Sequence, residues 1–368
     1  MKQSKSLKVA DSADTSPLWR HAGASATMPD KPIAIDLFSG AGGLTLGLHW
    51  AQFRVLGAVE LNPLAAETYR VNFPLVHLWE MDIRELTVSR VLRDLDLRIG
   101  QLDLLAGCPP CQGFSSLRSL NGHKLVSDDR NDLVLQFERF VRGLKPKAVM
   151  LENVPALMTD ARLDRLTRTL TRLGYRCNTR LMDAADFGVP QRRKRMILIA
   201  GRHRELALAT SAGDRRTVRD AIANLPPAGT SGDPLHDLPE VRQDRIQSLI
   251  QRIPKDGGSR TDLSLSDQLA CHIRCDGFHD VYGRMAWDEV APTITSGCIN
   301  PSKGRFLHPT VDRAVTLREA ALLQGFPSDY YFSLSRGKHA VAEMIGNALP
   351  PKFVKAQADV ILEQLASR

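Results

Sequence analysis

The sequence predicts a doubly wound, mostly parallel α/β sheet that carries a smaller, irregular module. Three observations point there. Strand-like and helix-like stretches alternate from Lys31 to Gly201, the signature of strands joined by crossover helices. A glycine cluster, Ser39-Gly40-Ala41-Gly42-Gly43, follows the first strand-like run. The alternation then stops, and residues 203–310 are rich in Gly, Pro, Ser and Asp with weak periodicity.

Residues 1–30 are small, polar and aperiodic, which predicts a disordered tail, with Met28 as an alternative start. Lys31 to Phe38 reads as the first strand and Leu44 to Trp50 as the helix after the glycine turn. Phe53 to Leu61 is the second strand, and Pro63 to Asn72 is a helix with Pro in its first turn. Val76 to Ile83 holds a short third strand, and Gln101 to Gly107 is the fourth. Leu133 to Gly143 is helical, Lys147 to Asn153 is the fifth strand, and Asp160 to Leu173 is a helix stopped by Gly174. Tyr175 to Ala184 and Arg195 to Gly201 are further strands. The module over 203–310 is expected to contain short strands, and helical signals return at Val315–Gln324 and Pro350–Leu365. The expected division is therefore a tail (1–30), the main α/β part (31–202), the module (203–310) and C-terminal helices (311–368) that return to the main part.

The 43% hydrophobic and 24% charged content are those of a soluble globular protein. No apolar run approaches the roughly 20 residues of a membrane span, and no apolar stretch follows the N-terminal lysines as a secretory signal requires. Six irregularly spaced cysteines do not suggest a disulfide framework, so reduced thiols and a cytoplasmic location are expected. The net charge of +8 is compatible with a nucleic-acid partner. Residues 1–202 carry 29 Lys+Arg against 21 Asp+Glu, whereas 203–310 carry 13 against 14 and 311–368 carry 7 against 6. The basic excess belongs to the first part.

Three groups of residues carry possible chemistry. The glycine turn brings backbone close to a ligand at a helix N-terminus, and Glu60, 20 residues past Gly40, ends a strand where a carboxylate can bond ribose hydroxyls. Asp82 ends the next strand, giving one crevice at the carboxyl edge of the sheet. The turn alone is compatible with NAD, with S-adenosylmethionine or with a plain strand-to-helix connection. Second, Gly107-Cys108-Pro109-Pro110-Cys111-Gln112-Gly113-Phe114-Ser115 follows the fourth strand. The prolines stiffen the backbone where Cys111 leaves the sheet, and Glu152 ends the neighbouring strand. A thiolate with a carboxylic acid nearby suits covalent activation of an electron-poor ring, with Asn153 positioning the adjoining loop. A structural turn and a salt-bridging carboxylate are the alternatives. Third, alternate residues of a strand share a face, so Gln191, Arg193 and Arg195 point together. Such a row can meet a base edge or phosphate, or it is a solvated charged edge.

Taken in order, these blocks resemble the C5-cytosine DNA methyltransferase family, in its prokaryotic form. Asp36-Leu37-Phe38-Ser39-Gly40-Ala41-Gly42-Gly43 is similar to its first motif, with Glu60 and Asp82 where the second and third fall. Pro109-Pro110-Cys111-Gln112-Gly113-Phe114-Ser115 resembles the nucleophile motif, Glu152-Asn153-Val154 the Glu-Asn-Val motif, and Gln191-x-Arg193-x-Arg195 the later basic motif. Leu317-Arg318-Glu319-Ala320 with Leu323-Gln324-Gly325-Phe326-Pro327 resembles the ninth. Ile345-Gly346-Asn347-Ala348-Leu349-Pro350 resembles the tenth, with Leu349 in place of the commoner Val. The resemblance runs from about Lys31 to the C-terminus.

The resemblance implies a class I, Rossmann-like S-adenosylmethionine-dependent methyltransferase fold and DNA (cytosine-5)-methyltransferase activity. It implies a cofactor site for S-adenosylmethionine, with S-adenosylhomocysteine as product, lined by Phe38, Gly40, Gly42, Gly43, Leu44, Glu60, Leu61, Asp82, Ile83, Pro110 and Leu133 and closed by Asn347 and Ala348. Cys111 is implied as the nucleophile on cytosine C6, Glu152 as the N3 partner, Arg193 as the holder of cytosine O2, and Arg195 and Asn153 as further active-site residues. Gln112, Ser115, Gln191, Thr293 and Thr295 are implied to contact double-stranded DNA. Methyltransferases are among the enzymes that extrude their target base. Residues 203–310 are accordingly expected to read the target sequence, with Asp288–Lys303 as the core of that reader. The expected enzyme is a monomer, associated with the bacterial nucleoid through DNA, and acts alone or beside a cognate restriction endonuclease. The tRNA-acting branch of the family carries a Cys-Phe-Thr signature that is lacking here, and an inactive relative would have lost Cys111 or Glu152.

Other features have plain readings. Cys108 lies at a position that varies in the family and reads as packing. Cys271, His272 and Cys275 lack a fourth ligand, so no metal is expected. Arg162, Arg165, Arg168 and Arg172 share a helix face expected to be solvated, and Trp50, Trp79 and Trp287 read as packing residues.

Overall fold

A computed structural model of the protein describes residues 31–110, 133–211, 213, 215–269, 273 and 280–367. The expected N-terminal tail, Cys111, Gln112, Ser115 and the Cys271-His272-Cys275 group lie outside the described residues. The strands are β1 (Ile33–Leu37), β2 (Arg54–Glu60), β3 (His77–Glu80), β4 (Leu104–Gly107), β5 (Ala148–Asn153), β6 (Tyr175–Asp183) and β7 (Lys194–Arg202). They form one sheet in the order β3-β2-β1-β4-β5-β7-β6, parallel except for β7, which runs antiparallel to both of its neighbours. The chain winds outward from β1 through β2 and β3, then restarts at β4 on the other side. The switch point lies between β1 and β4, the place where α/β sheets open a ligand crevice.

Helices cover both faces: α1 (Gly43–Trp50), α2 (Pro63–Asn72), α3 (Val88–Asp94), α4 (Leu133–Leu144) and α5 (Ala161–Arg172). Local sequence sets their ends. Asn62 caps α2 by accepting from the Leu64 and Ala65 amides, and Pro63 needs no donor at the first position. Asp160 caps α5 through the Arg162 amide. Along β1 the side chains alternate. Ile33, Ile35 and Leu37 pack with Phe137 and Phe140 of α4 and Leu163, Leu166 and Leu170 of α5. Ala34 packs on the opposite face with Leu44 and Leu48 of α1 and the C-terminal helix. The arginines of α5 lie on its outward side, as the helical spacing predicts; Arg165, Arg168 and Arg172 are exposed.

Short strands expected in 203–310 are not found among the described residues there. Two helices, α6 (Val218–Ile222) and α7 (Asp244–Arg252), are joined by irregular chain with isolated bridges such as Arg284 to Leu307. Turns and side chains, Arg284 among them, satisfy backbone groups there in place of a ladder. The fully buried Arg284 guanidinium donates to the carbonyls of Ile250, Ile253, His308 and Val311 and pairs with Asp312. Ile250 and Ile253 lie at the C-terminal end of α7, so the guanidinium caps that helix as it binds the 308–312 turn. The C-terminal part adds α8 (Leu317–Leu323), α9 (Lys338–Asn347) and α10 (Pro351–Ala366). Val218, Met285, Ile294 and Phe306 of the module share one apolar cluster with Leu317, Val341 and Ile345 and with Leu46 and Tyr69 of the main part.

Candidate active site

β1 ends in a strained step. Phe38 adopts φ 64°, and Gly40 and Gly42 follow at 55° and 98°, a left-handed region that costs a non-glycine residue energy and is found preferentially at ligand sites. A Cβ on Gly40 would meet nothing within 4 Å, so the turn faces open space. Glu60 crosses from β2 and accepts from the Gly40 amide (2.7 Å) and the Asn62 amide (2.6 Å). Burial pushes its pKa up, against the amide bonds that lower it. Leu61 beside it is 60% exposed, an apolar side chain left at the rim. Asp82 is gripped by the Arg84 guanidinium, which lowers its pKa. Ile83 is buried.

The C-terminal part closes on this turn. A Cβ on Gly43 would overlap the Leu349 carbonyl oxygen; the absence of a side chain lets the two segments touch. Tyr330 donates to the Ala41 carbonyl (2.5 Å), and Gln324 donates to the Ala348 carbonyl. Asn347, at the end of α9, is exposed, while Leu44 is buried beneath the turn.

A second group stands where β4, β5 and β7 end. Glu152 is 8% exposed, and its Oε1 lies 2.8 Å from Arg195 Nε. Asn153 donates to the Pro109 carbonyl (3.0 Å), which ties β5 to the Pro109-Pro110 segment. Pro110 is half-buried and Leu133 begins α4. Alternation along 191–195 holds: Gln191 and Arg193 are buried, Arg195 is partly buried, and Arg192 and Lys194 are exposed. The partners of the inward residues are protein groups. Gln191 binds Gln324, the Leu323 carbonyl and the Ile294 amide. With no exposed surface and its amide committed, it sits inside the molecule rather than on a DNA-facing edge. Arg193 donates to the Ile294 carbonyl (3.0 Å) and the Gly346 carbonyl (2.9 Å). Burial, then the neighbouring Arg195, pushes its pKa down to about 9. The residue that reaches Glu152 is thus Arg195, and Arg193 joins the module to α9.

Thr293 donates to the Arg192 carbonyl (2.6 Å), and Thr295 is exposed on the same segment. Two residues have surroundings that the sequence did not reveal. Asp36 is fully buried, with Oδ2 bonded to Thr45 (2.7 Å) and Oδ1 without a partner among the described residues. Burial lifts its pKa from 3.8 to about 7. Cys108 follows the β4 register to a place beside Glu152, on the sheet face that Asp36 shares, and burial raises its thiol pKa well above the usual range. Its place in the fourth-strand motif, three residues before Cys111, was the available signal. No cluster of metal-ligating side chains occurs among the described residues.

The profile of one protein family, the C-5 cytosine-specific DNA methylases, matches residues 33–363. The chain belongs to this family. Among its curated relatives, the type II methylase M.HgiDII of Herpetosiphon aurantiacus is 34% identical over 86% of this chain and 91% of its own length. The type II methyltransferase M1.HphI of Haemophilus parahaemolyticus is 34% identical over 89% of this chain and 86% of its own. The solved structure of the Schizosaccharomyces pombe Dnmt2 methyltransferase superposes with a TM-score of 0.59 at 21% identity, covering 91% of this chain and 99% of that one, a likeness of fold. This C-5 cytosine-specific DNA methylase has the mixed seven-stranded sheet of the class I methyltransferases, with its one reversed strand, β7, carrying Arg195. Among the described residues of the methylase, no helix is long and apolar enough to cross a membrane.

Proposed function

We propose that this DNA (cytosine-5)-methyltransferase acts on a flipped-out cytosine in a specific duplex sequence, with S-adenosylmethionine as methyl donor and Cys111 as nucleophile. The observation that carries the reading is the Glu152–Arg195 pair at the end of β5, one strand from the Cys108-Pro109-Pro110 segment that leads to Cys111. The residues present fit the cofactor. Gly40 leaves a Cβ-sized opening, Glu60 presents a carboxylate beside it, Leu61 offers an apolar rim, and Asn347 stands exposed at the segment that closes on Gly43. When bound, S-adenosylmethionine supplies an electrophilic methyl group.

The chain's own residues do the rest. The Cys111 thiolate adds to C6, and the C5=C6 electron pair moves into the ring. Glu152 hydrogen-bonds or protonates N3, so the ring can accept those electrons. Arg195 holds Glu152 and supplies positive charge beside the pyrimidine, the role first expected of Arg193. C5 gains the methyl group, a base then removes the C5 proton, and the returning electron pair expels Cys111. Residues 203–310 are proposed to choose the sequence, with Thr295 exposed for base contact. The type II relatives support a modification role beside a cognate endonuclease, with solitary action as the alternative. Sequencing 5-methylcytosine in plasmid DNA from cells expressing the chain tests the proposal. It predicts C5 methylation at one recurring sequence, and unmodified DNA or methylation at N4 contradicts it.

A further inference from the structure

We propose that Cys108 is a positioning residue for Glu152, a role that rests on the function proposed above for Glu152. Strand register brings the two together. Asp36 of β1 pairs with Ala106 of β4, and Ala106 pairs with Met150 of β5. Two residues further along their strands, Cys108 and Glu152 leave the sheet side by side, on the face shared by Ala34, Ala106 and Met150. Asp36 lies on that face behind them.

The backbone around Cys108 is fixed on both sides. Its amide donates to the Leu37 carbonyl (3.2 Å), and the next carbonyl, of Pro109, receives Asn153 Nδ2 (3.0 Å). One residue past the Gly107–Leu151 pairing, the register sets Cys108 beside Glu152, while Arg195 Nε holds Oε1 at 2.8 Å from β7. The carboxylate thus stands between a guanidinium on one neighbouring strand and the thiol at the end of the other. A carboxylate held from two sides cannot swing away from the ring nitrogen it must meet. Behind the thiol, the buried Asp36 carboxyl keeps one oxygen unpartnered among the described residues, a surrounding that disfavours a second negative charge. Burial likewise raises the thiol's pKa, so Cys108 remains an S–H donor and does not compete as a nucleophile. The two cysteines of the motif divide the work: one orients the acid, and the other is proposed to attack the base.

The test uses the full chain with its DNA and S-adenosylmethionine, comparing Cys108→Ala with Cys108→Ser. Loss of a hydrogen bond to a charged group predicts an alanine variant about 10-fold slower in single-turnover methylation, with DNA and cofactor affinity within about 2-fold. Serine keeps a donor of similar size and should return the rate to within about 3-fold of wild type. Combined with Arg195→Lys, the alanine effect should shrink, because both groups hold one carboxylate. An alanine variant at the wild-type rate overturns the inference, and so does a serine variant that binds normally but turns over as slowly as alanine. The serine variant decides alone if alanine does not fold. A wild-type protein that forms no 5-methylcytosine defeats the parent reading instead, whatever the Cys108 variants do.

Discussion

Arg195 Nε lies 2.8 Å from Glu152 Oε1, so the end of the reversed strand β7 neutralises the acid at the end of β5. Both side chains are largely shielded, 15% and 10% exposed. Breaking a buried pair leaves a charge uncompensated. Arg195→Met should therefore lower folding stability by about 3 kcal/mol and abolish most turnover. Glu152→Gln keeps the side chain's shape but cannot deliver a proton, and should cut kcat by roughly 10²- to 10⁴-fold with DNA affinity nearly unchanged. Urea titration and single-turnover kinetics read the two effects separately. A Glu152→Gln enzyme of normal kcat would remove Glu152 from the mechanism.

Arg193 makes a different prediction. Its guanidinium joins the Ile294 carbonyl of the module to the Gly346 carbonyl of α9. A Cβ on Gly346 would overlap the Thr295 and Ser296 backbone, so the same seam is closed by shape. Arg193→Met leaves two buried carbonyls unpaired, each costing about 1–3 kcal/mol. Gly346→Ala overpacks the seam by about 1–3 kcal/mol. Both should lower the denaturation midpoint, and Gly346→Ala should weaken DNA binding by shifting the 292–296 segment. Unchanged midpoints would mean that the module does not depend on this seam.

Asp36 gives a pH signature. Folding raises its pKa from 3.8 to about 7, so the folded state holds the proton more tightly. Stability is therefore lost as pH rises from about 4 to 7 and is flat in this respect above 7. Asp36→Asn lacks that loss. Its stability advantage over wild type should grow across the window, by at most roughly 4 kcal/mol for a shift of about three pH units. Chemical denaturation at pH 5 and pH 8 measures the difference, and a gap that does not change with pH contradicts the assignment.

Much of this was legible in the sequence, and the reasons are local. Four strands, β1, β2, β4 and β5, show because each is a short, largely apolar run ending at or beside a notable residue: Phe38, Glu60, Gly107, Glu152. Alternation placed Gln191, Arg193 and Arg195 on one face but did not show that this face turns inward. What Gln191 and Arg193 would meet was not legible, because their partners, Gln324, Gly346 and Ile294, lie more than 100 residues away in sequence. Helix α9 escaped notice because its inward residues, Val341, Ala342, Met344, Ile345 and Gly346, are interleaved with small and polar ones. The module was misread as stranded because nothing local announces that turns and side chains, Arg284 among them, will satisfy its backbone.

That arginine is testable. Arg284→Met removes the donor to four carbonyls and the partner of Asp312. The loss should exceed about 3 kcal/mol and appear first as proteolysis within 244–314, while the main sheet remains protected. Equal cleavage throughout the chain would show instead that the module has no stability of its own.

The central claim is that Cys111 forms a covalent bond to C6 of a cytosine whose N3 is held by Glu152. The most direct measurement is trapping on duplex DNA carrying 5-fluorocytosine at the methylated position, with S-adenosylmethionine present. Fluorine cannot leave as a proton does, so the adduct cannot resolve. The account predicts a denaturant-stable, one-to-one protein–DNA complex with wild type and none with Cys111→Ser. Absence of the complex with active wild-type enzyme, or its persistence in Cys111→Ser, would contradict it.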